Sequence, residues 1–273
     1  MEDKWMIRIF RPGLTSGTVP SDLRLYCLPF AGGGASVYRN WGAALGGVAE
    51  VWAVQMPGRE ERIKEPRFYS IDRLVTALLS SEKGKGRFDG RYMLFGHSMG
   101  AKIVYEMARR LEEIGKPPVA LIVSGIRPVN LPPLRKMAGF PDDVFYKELM
   151  RLEGTPAAIL ADEEFMAMYR PLLRADFTLA ETYVRNEVLG VPLLAFAGDH
   201  DCEVNEKELA QWADLTSGDF GMKIFPGDHF FLRKNEPAFL NTLRYMVQKL
   251  TSGQKPSDAV RICSGNGGSN DRR

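Results

Sequence analysis

Residues 92–101 read Y-M-L-F-G-H-S-M-G-A, a stretch that predicts a strand, a sharp turn and the start of a helix around one serine. The largely apolar residues Tyr92–Phe95 predict a short buried strand, and apolar side chains recur at helical spacing from Ala101 to Glu113. Between them, the glycines of G-x-S-x-G leave room for a strained turn that exposes the Oγ atom of Ser98. The strand before this motif and the helix after it are the context that a nucleophile elbow requires, so we interpret Ser98 as a nucleophile.

A serine hydroxyl is a weak nucleophile and needs an imidazole to accept its proton. The chain has three histidines, His97, His200 and His229. In an elbow the residue beside the serine is expected to point away from the base, which argues against His97. His229 follows a predicted strand and a Pro-Gly-Asp turn late in the chain, where the order serine, acid, histidine places the base. We therefore predict His229 as the general base, against the alternative of a purely structural histidine.

The acid that orients the base is expected on a loop between these two residues. Residues 191–197 predict a buried strand, and G-D-H-D follows it at positions 198–201, where α/β folds place their chemistry. Either Asp199 or Asp201 could serve. Asp199 lies in the turn itself, where an aspartate commonly bonds nearby backbone groups. We favour Asp201, a choice that the family resemblance below supports.

A glycine-rich loop follows another predicted strand, residues 23–28, and reads P-F-A-G-G-G-A-S at positions 29–36. It contains neither G-x-G-x-x-G nor G-K-[ST], so a nucleotide site is not indicated. In a serine hydrolase this loop supplies one backbone N–H of the oxyanion hole, and the residue after the nucleophile supplies the other. Ala31 and Met99 are the predicted donors, and the alternative is a plain flexible loop.

Composition excludes several classes of protein. The chain has 273 residues, is 45% hydrophobic and carries 36 Lys and Arg against 34 Asp and Glu, which suits one large domain without a basic surface for nucleic acid. Its three cysteines are widely spaced and indicate neither disulfides nor a metal site, so a reducing compartment is expected. Signal and membrane-spanning segments are not indicated. We expect a cytoplasmic monomer that needs no cofactor or metal and binds no membrane.

The remaining pattern predicts one domain over residues 1–250. Residues 127–186 are dense in Met, Leu, Phe and Tyr and predict inserted helices, with Asp142 and Asp143 at one helix start and Pro171 kinking or ending another. Such helices are suited to form a lid, although their apolar faces can also simply complete the core. The charge run 59–62 is expected to be a solvated face, and the polar tail 251–273 to be disordered.

Five segments carry a resemblance to a known family. They read L-P-F-A-G-G at 28–33, M-P-G-R-E at 56–60, F-G-H-S-M-G-A at 95–101, L-R-A-D-F at 173–177 and G-D-H-F-F-L at 227–232. The sequence resembles the type II, or editing, thioesterases of polyketide and nonribosomal peptide synthesis and the related medium-chain thioesterase of fatty-acid synthesis. Asp228 departs from the family pattern, in which a second glycine is usual before the histidine.

The resemblance implies an α/β-hydrolase fold, a mostly parallel central sheet flanked by helices, with an inserted helical lid. It also implies hydrolysis of acyl thioesters carried on the phosphopantetheine arm of an acyl or peptidyl carrier protein, with Ser98, Asp201 and His229 as the catalytic residues. Two alternatives remain. One is an acyl-CoA thioesterase or carboxylesterase, and the other is a non-catalytic binding protein with the same fold.

Overall fold

A computed structural model describes residues 4–9, 22–82 and 85–264 of the chain. Its seven strands are β1 (Met6–Arg8), β2 (Leu23–Leu28), β3 (Glu50–Val54), β4 (Arg91–His97), β5 (Ala120–Ser124), β6 (Leu193–Gly198) and β7 (Phe220–Phe225). They form one sheet in the order β1-β3-β2-β4-β5-β6-β7. Strand β1 pairs antiparallel with β3, and the other neighbours pair in parallel. The predicted mostly parallel sheet is confirmed.

Helices cover both faces of this sheet. They are α1 (Trp41–Leu45), α2 (Ile71–Glu82), α3 (Met99–Glu113), α4 (Asp142–Arg151), α5 (Ala157–Leu160), α6 (Glu163–Glu181), α7 (Glu206–Ala210), α8 (Phe231–Lys234), α9 (Glu236–Thr251) and α10 (Pro256–Ser264). Buried side chains of α2 and α3 form a core on one face, and those of α1 and α9 form a second core on the other. Among the described helices, none is both long and apolar enough to cross a membrane.

Strand β4 shows why the sheet needs helices on both of its faces. Tyr92 and Leu94 pack into the core beneath α3, whereas Met93 and Phe95 pack into the core beneath α9. Successive side chains of a strand point to opposite faces, so a central parallel strand is apolar on both sides and carries an almost continuous apolar run. This is the pattern that predicted the strand from the sequence. The sheet thereby brings the end of β4, where Ser98 follows, to the centre of its carboxyl edge.

Helices α4, α5 and α6 lie between β5 and β6, within the segment predicted as an insertion. Their inner faces form a third apolar cluster together with Phe30 and Phe230. Pro171 lies inside α6, so of the two predicted outcomes, a kink or a helix end, it does not end the helix. Asp142 starts α4 without capping it, because its carboxylate bonds Arg174 of α6 instead, at 2.6 Å.

Two further predictions are wrong in part. Glu60 and Glu61 are exposed as expected of a solvated charge run, but Arg59 and Arg62 are only 5% and 7% exposed. Arg59 is buried in its pair with Asp176, and Arg62 lies over the Trp5 ring. The tail is not wholly disordered, since α10 packs against β7 and α9 with Ala259 fully buried. The end of the predicted tail, residues 265–273, lies outside the described residues.

Candidate active site

Ser98 occupies the sharp turn between β4 and α3 with φ 53° and ψ −119°. A positive φ is unfavourable for a residue with a Cβ atom and persists only where the surroundings enforce it. Here the Ser98 N–H donates to the Ser124 carbonyl at 2.7 Å, and the Ser98 carbonyl accepts from the Ala101 N–H at 3.0 Å. The predicted strand, strained turn and helix are therefore all present.

The glycines on either side of Ser98 are required by close backbone contacts. A Cβ atom on Gly96 would lie 2.2 Å from the Gly100 carbonyl oxygen, and one on Gly100 would lie 2.2 Å from the Leu28 carbonyl oxygen. Real Cβ atoms do not approach this closely, so neither position tolerates a side chain. The G-x-S-x-G pattern thus reflects packing of the elbow against itself and against the end of β2.

His229 and Asp201 form the buried pair that the serine reaction needs. The Nδ1 atom of His229 lies 2.9 Å from Oδ1 of Asp201, and their side chains are 2% and 0% exposed. The same Oδ1 accepts the Glu203 N–H at 2.9 Å, which fixes the carboxylate. Because a carboxylate only accepts, Nδ1 carries the hydrogen and Nε2 is left free to accept a proton.

Two opposing effects act on the His229 imidazole. Burial lowers the pKa of His229, and the negative charge and hydrogen bond of Asp201 raise it. The contribution of Asp201 prevails together with smaller ones from Glu203 and Asp228, so the pKa lies above its usual value. A base with such a pKa accepts a proton readily once it is neutral.

Asp199 has the backbone role that its position in the turn predicts. Its Oδ1 accepts the Gly227 N–H at 2.8 Å and lies 2.6 Å from Nδ1 of the exposed His200. Asp199 therefore joins the loop after β6 to the turn after β7, and Asp201 alone of the two aspartates bonds His229.

His97 does not bond Ser98, but the reason differs from the prediction. Its ring does not point away from the base, since its centroid lies 5.0 Å from that of His229. Its Nδ1 atom lies 2.9 Å from Oγ of Ser124. Burial, with a smaller effect of His229, holds the pKa of His97 well below its usual value, so the ring is neutral. His97 is a packing partner of the base.

Ser98 and His229 line one cavity of about 70 Å³, which also contains Ala31 and apolar side chains of the inserted helices, among them Leu149, Leu173 and Phe177. A second cavity of about 60 Å³ also reaches Ser98 and Ala31 and extends toward Lys102 and residues 131–135. Both cavities lie beneath the inserted helices. The sequence-predicted nucleophile, base and one oxyanion donor are therefore brought to a single enclosed space.

The glycine-rich loop after β2 places one backbone N–H group, that of Ala31, where it can serve as an oxyanion donor. The N–H groups of Gly32, Gly33 and Ala35 bond Asp176, Phe30 and Gln55, at 2.7, 2.9 and 2.9 Å. Within the described residues, the Ala31 N–H has no such partner, and Ala31 lines the cavity beside Ser98. Met99 is the first residue of α3, where N–H groups have no intrahelical acceptor. These are the two donors that the sequence predicts.

Two functional residues were missed from the sequence. Arg59 was assigned to a solvated face, and Asp176 was quoted only as part of the L-R-A-D-F segment, yet they form a buried ion pair of 2.7 Å beside the glycine-rich loop. A signal for Asp176 was present. It falls on the apolar stripe of α6, three or four positions from Leu172, Leu173 and Leu179, where an acidic residue requires a partner.

Asp228, the departure from the family pattern, does not simply face solvent. Its Oδ1 accepts the Phe230 N–H at 2.8 Å, and its Oδ2 pairs with Lys234. Lys234 also pairs with Glu153 at 2.6 Å. The Asp228 carboxylate thereby stabilises the turn that carries His229. Through Lys234 and Glu153 this turn is also connected to the segment between α4 and α5.

Comparison with known proteins agrees with this geometry. A sequence profile of the thioesterase domain family matches residues 23–246. Thioesterase PikA5 of Streptomyces venezuelae is 38% identical over 229 residues, which cover 83% of this chain and 79% of PikA5. The medium-chain S-acyl fatty acid synthase thioesterase of Rattus norvegicus is 33% identical over 223 residues, with coverage of 77% and 82%.

Solved structures lead to the same family. The type II thioesterase BorB from the borrelidin biosynthetic cluster has a TM-score of 0.76 and 34% identity, with coverage of 89% of this chain and 97% of BorB. The α/β-hydrolase fold and the resemblance stated from the sequence are thereby confirmed. The profile match spans most of the chain, and on that ground the protein belongs to the thioesterase family.

Proposed function

We propose that this thioesterase releases acyl groups from the phosphopantetheine arm of an acyl or peptidyl carrier protein, with Ser98, His229 and Asp201 as its catalytic residues. The observation that carries the assignment of residues is the buried 2.9 Å pair of His229 and Asp201 beside the cavity that contains Ser98. The carrier-bound substrate is supported by relatives such as BorB, which is named as a type II thioesterase of a biosynthetic cluster.

The reaction proceeds in two halves. The Oγ atom of Ser98 attacks the thioester carbonyl as Nε2 of His229 takes its proton, and the N–H groups of Ala31 and Met99 stabilise the oxyanion. The carbon–sulfur bond then breaks and the thiol leaves, with the proton returned by His229. Water, activated by the same imidazole, attacks the acyl-serine ester and releases the carboxylic acid and free Ser98. Protons and electrons balance without a cofactor.

The inserted helices act as a lid in this proposal. The cavity beside Ser98 is lined by apolar side chains from α4 and α6, which exclude water from the oxyanion and offer an apolar wall to the acyl chain. Low polarity strengthens each hydrogen bond to the developing charge. The open mouth of about 530 Å³ between residues 32–40 and 154–169 lies next to this cavity and shares Phe30 and Tyr169 with it.

A matched pair of substrates separates the proposal from its main alternative. We expect a larger kcat/KM for an acyl group on a carrier protein than for the same acyl group on coenzyme A, because the carrier adds a protein–protein contact near the reacting bond. A p-nitrophenyl ester of that acid measures general esterase activity. Equal or faster turnover of the CoA thioester, or of the ester, would make this chain an acyl-CoA thioesterase or a carboxylesterase.

The pH dependence of the reaction follows from the His229 pair. Protonated His229 cannot accept a proton, so kcat/KM falls as pH decreases through its pKa. Asp201 raises that pKa above the usual 6.5, so we expect the midpoint of the acidic limb above pH 6.5. Initial rates between pH 5 and 9 at constant ionic strength, corrected for spontaneous thioester hydrolysis, measure it. A midpoint below 6.5 would show that burial outweighs Asp201.

A further inference from the structure

Three separate segments meet beside the oxyanion loop. Asp176 of α6 and Arg59 after β3 form a bidentate pair with N–O distances of 2.7 and 2.9 Å. Both side chains are nearly inaccessible, at 3% and 5% exposure. Arg59 also donates to the Gly33 carbonyl at 2.9 Å, and Asp176 accepts the Gly32 N–H at 2.7 Å. The ion pair therefore bonds the loop on both sides of the Gly32–Gly33 peptide.

Gly32 is the residue that these bonds control most directly. Its φ of 79° lies in the left-handed region, and its carbonyl accepts the Tyr169 hydroxyl of α6 at 2.6 Å. A Cβ atom at this position would lie 2.4 Å from that hydroxyl oxygen. Both polar backbone groups of Gly32 are thus held by α6, and Gly32 directly follows Ala31, the loop's candidate oxyanion donor.

We propose that Asp176 and Arg59 are positioning residues that aim the Ala31 N–H at the oxyanion, so that helix α6 sets the geometry of the catalytic loop besides covering it. The inference rests on the proposed function of Ser98 and Ala31. A bond to the Gly32 N–H also keeps that group from competing with Ala31 for the oxyanion. Stabilisation of an oxyanion depends on donors fixed in advance at about 2.7–3.1 Å, and a loop free to shift loses it.

The alternative is that the ion pair only stabilises the fold. Removing two charges from water is costly, and replacing a buried ion pair by apolar residues of similar volume is often neutral or stabilising. A buried pair is therefore weak evidence of a contribution to stability. The three bonds that the ion pair and Tyr169 make to two consecutive glycines are better explained by control of the backbone at the active site.

The test is Asp176→Leu, which keeps about the size of the side chain and removes the oxygen that accepts the Gly32 N–H. We expect kcat for an acyl thioester to fall about 100-fold, the effect of losing one oxyanion donor, with KM within about threefold of the parent. A trifluoromethyl ketone that adds to Ser98 and forms an oxyanion should bind about 100-fold more weakly by the same principle. A thioether analogue, which lacks the carbonyl, should bind as it does to the parent.

Two further variants separate positioning from folding. Asp142→Ala breaks the 2.6 Å pair of α6 and α4 through Arg174, on a more exposed side of the same helix, and should change neither kcat nor the two affinities. The double variant R59M/D176L fills the site with apolar side chains and should fold, yet remain as slow as Asp176→Leu, because the Gly32 N–H still lacks its acceptor. The double variant decides the question if the single one is unfolded.

The inference is overturned if the folded variants keep kcat within threefold of the parent, or if both inhibitors lose affinity equally. Failure of this inference can be distinguished experimentally from failure of the proposed function. A parent enzyme that forms the ketone adduct at Ser98 but hydrolyses no thioester would refute the proposed substrate. The comparison of the two inhibitors would still decide the role of Asp176 and Arg59.

Discussion

Replacing Ser98 by alanine is expected to lower kcat for thioester hydrolysis by a factor on the order of 10⁶, since loss of a serine nucleophile removes the covalent pathway and leaves only binding and oxyanion contacts. The backbone conformation should not relax, because alanine also has a Cβ atom and Ser98 is held at φ 53° by bonds to Ser124 and Ala101. Acid released from a carrier-bound thioester, with thermal unfolding measured in parallel, tests both statements. We expect an unchanged or slightly higher melting temperature.

Ser217→Ala is the matched control for this experiment. Ser217 bonds the Leu189 carbonyl at 3.3 Å, far along the chain from the elbow and at the opposite end of β7 from His229. A fluorophosphonate should label the parent and Ser217→Ala but not Ser98→Ala. If Ser98→Ala keeps a tenth of the parental kcat, or still takes up the label, another residue is the nucleophile.

The proposed catalytic residues were predictable because each depends on a short local pattern. Ser98 lies in a motif whose glycines are required because a Cβ atom on either would lie 2.2 Å from a backbone oxygen. His229 and Asp201 follow strands that end at the same edge of a parallel sheet. Parallel pairing brings such ends together whatever lies between them in sequence. The bond between Asp201 and His229, 28 residues apart, is a consequence of β6 pairing with β7.

Arg59 and Asp176 were not predictable in this way because they are 117 residues apart and lie in different layers. Nothing local distinguishes Arg59 from an exposed arginine in a charged run. Its burial depends on an inserted helix whose docking position the sequence does not encode locally. The same holds for α10, since Ala259 is buried only because β7 offers an apolar surface to it.

His97 illustrates a related limit. The strand pattern places its Cα atom correctly at the end of β4, but the contact with Ser124 depends on register with the neighbouring strand β5. Register fixes which side chains face each other and is set by the whole sheet. That His97 is not the base stays a prediction, while the direction of its ring could only come from the structure.

The second large effect is expected for Asp201→Asn, with kcat lowered by about 10⁴, the loss measured when the acid of a serine triad becomes an amide. The side chain is fully buried against His229, so no water replaces its charge. An amide NH₂ facing Nδ1 would favour the tautomer that protonates Nε2, and Nε2 could then no longer accept the Ser98 proton. Without the carboxylate, burial dominates, and the pKa of His229 should fall below that of the parent.

Asp199→Asn provides a control only two residues away. Its amide oxygen can still accept the Gly227 N–H, the bond that Oδ1 makes at 2.8 Å, and it does not contact His229. We expect kcat within about threefold of the parent, since a partly exposed neutral hydrogen bond is worth about 1 kcal/mol. Both variants are compared on one carrier-bound thioester, with ¹⁵N chemical shifts of the His229 ring reporting tautomer and pKa. Equal losses for the two variants would mean that the loop after β6 acts through its shape, and that Asp201 does not orient the base.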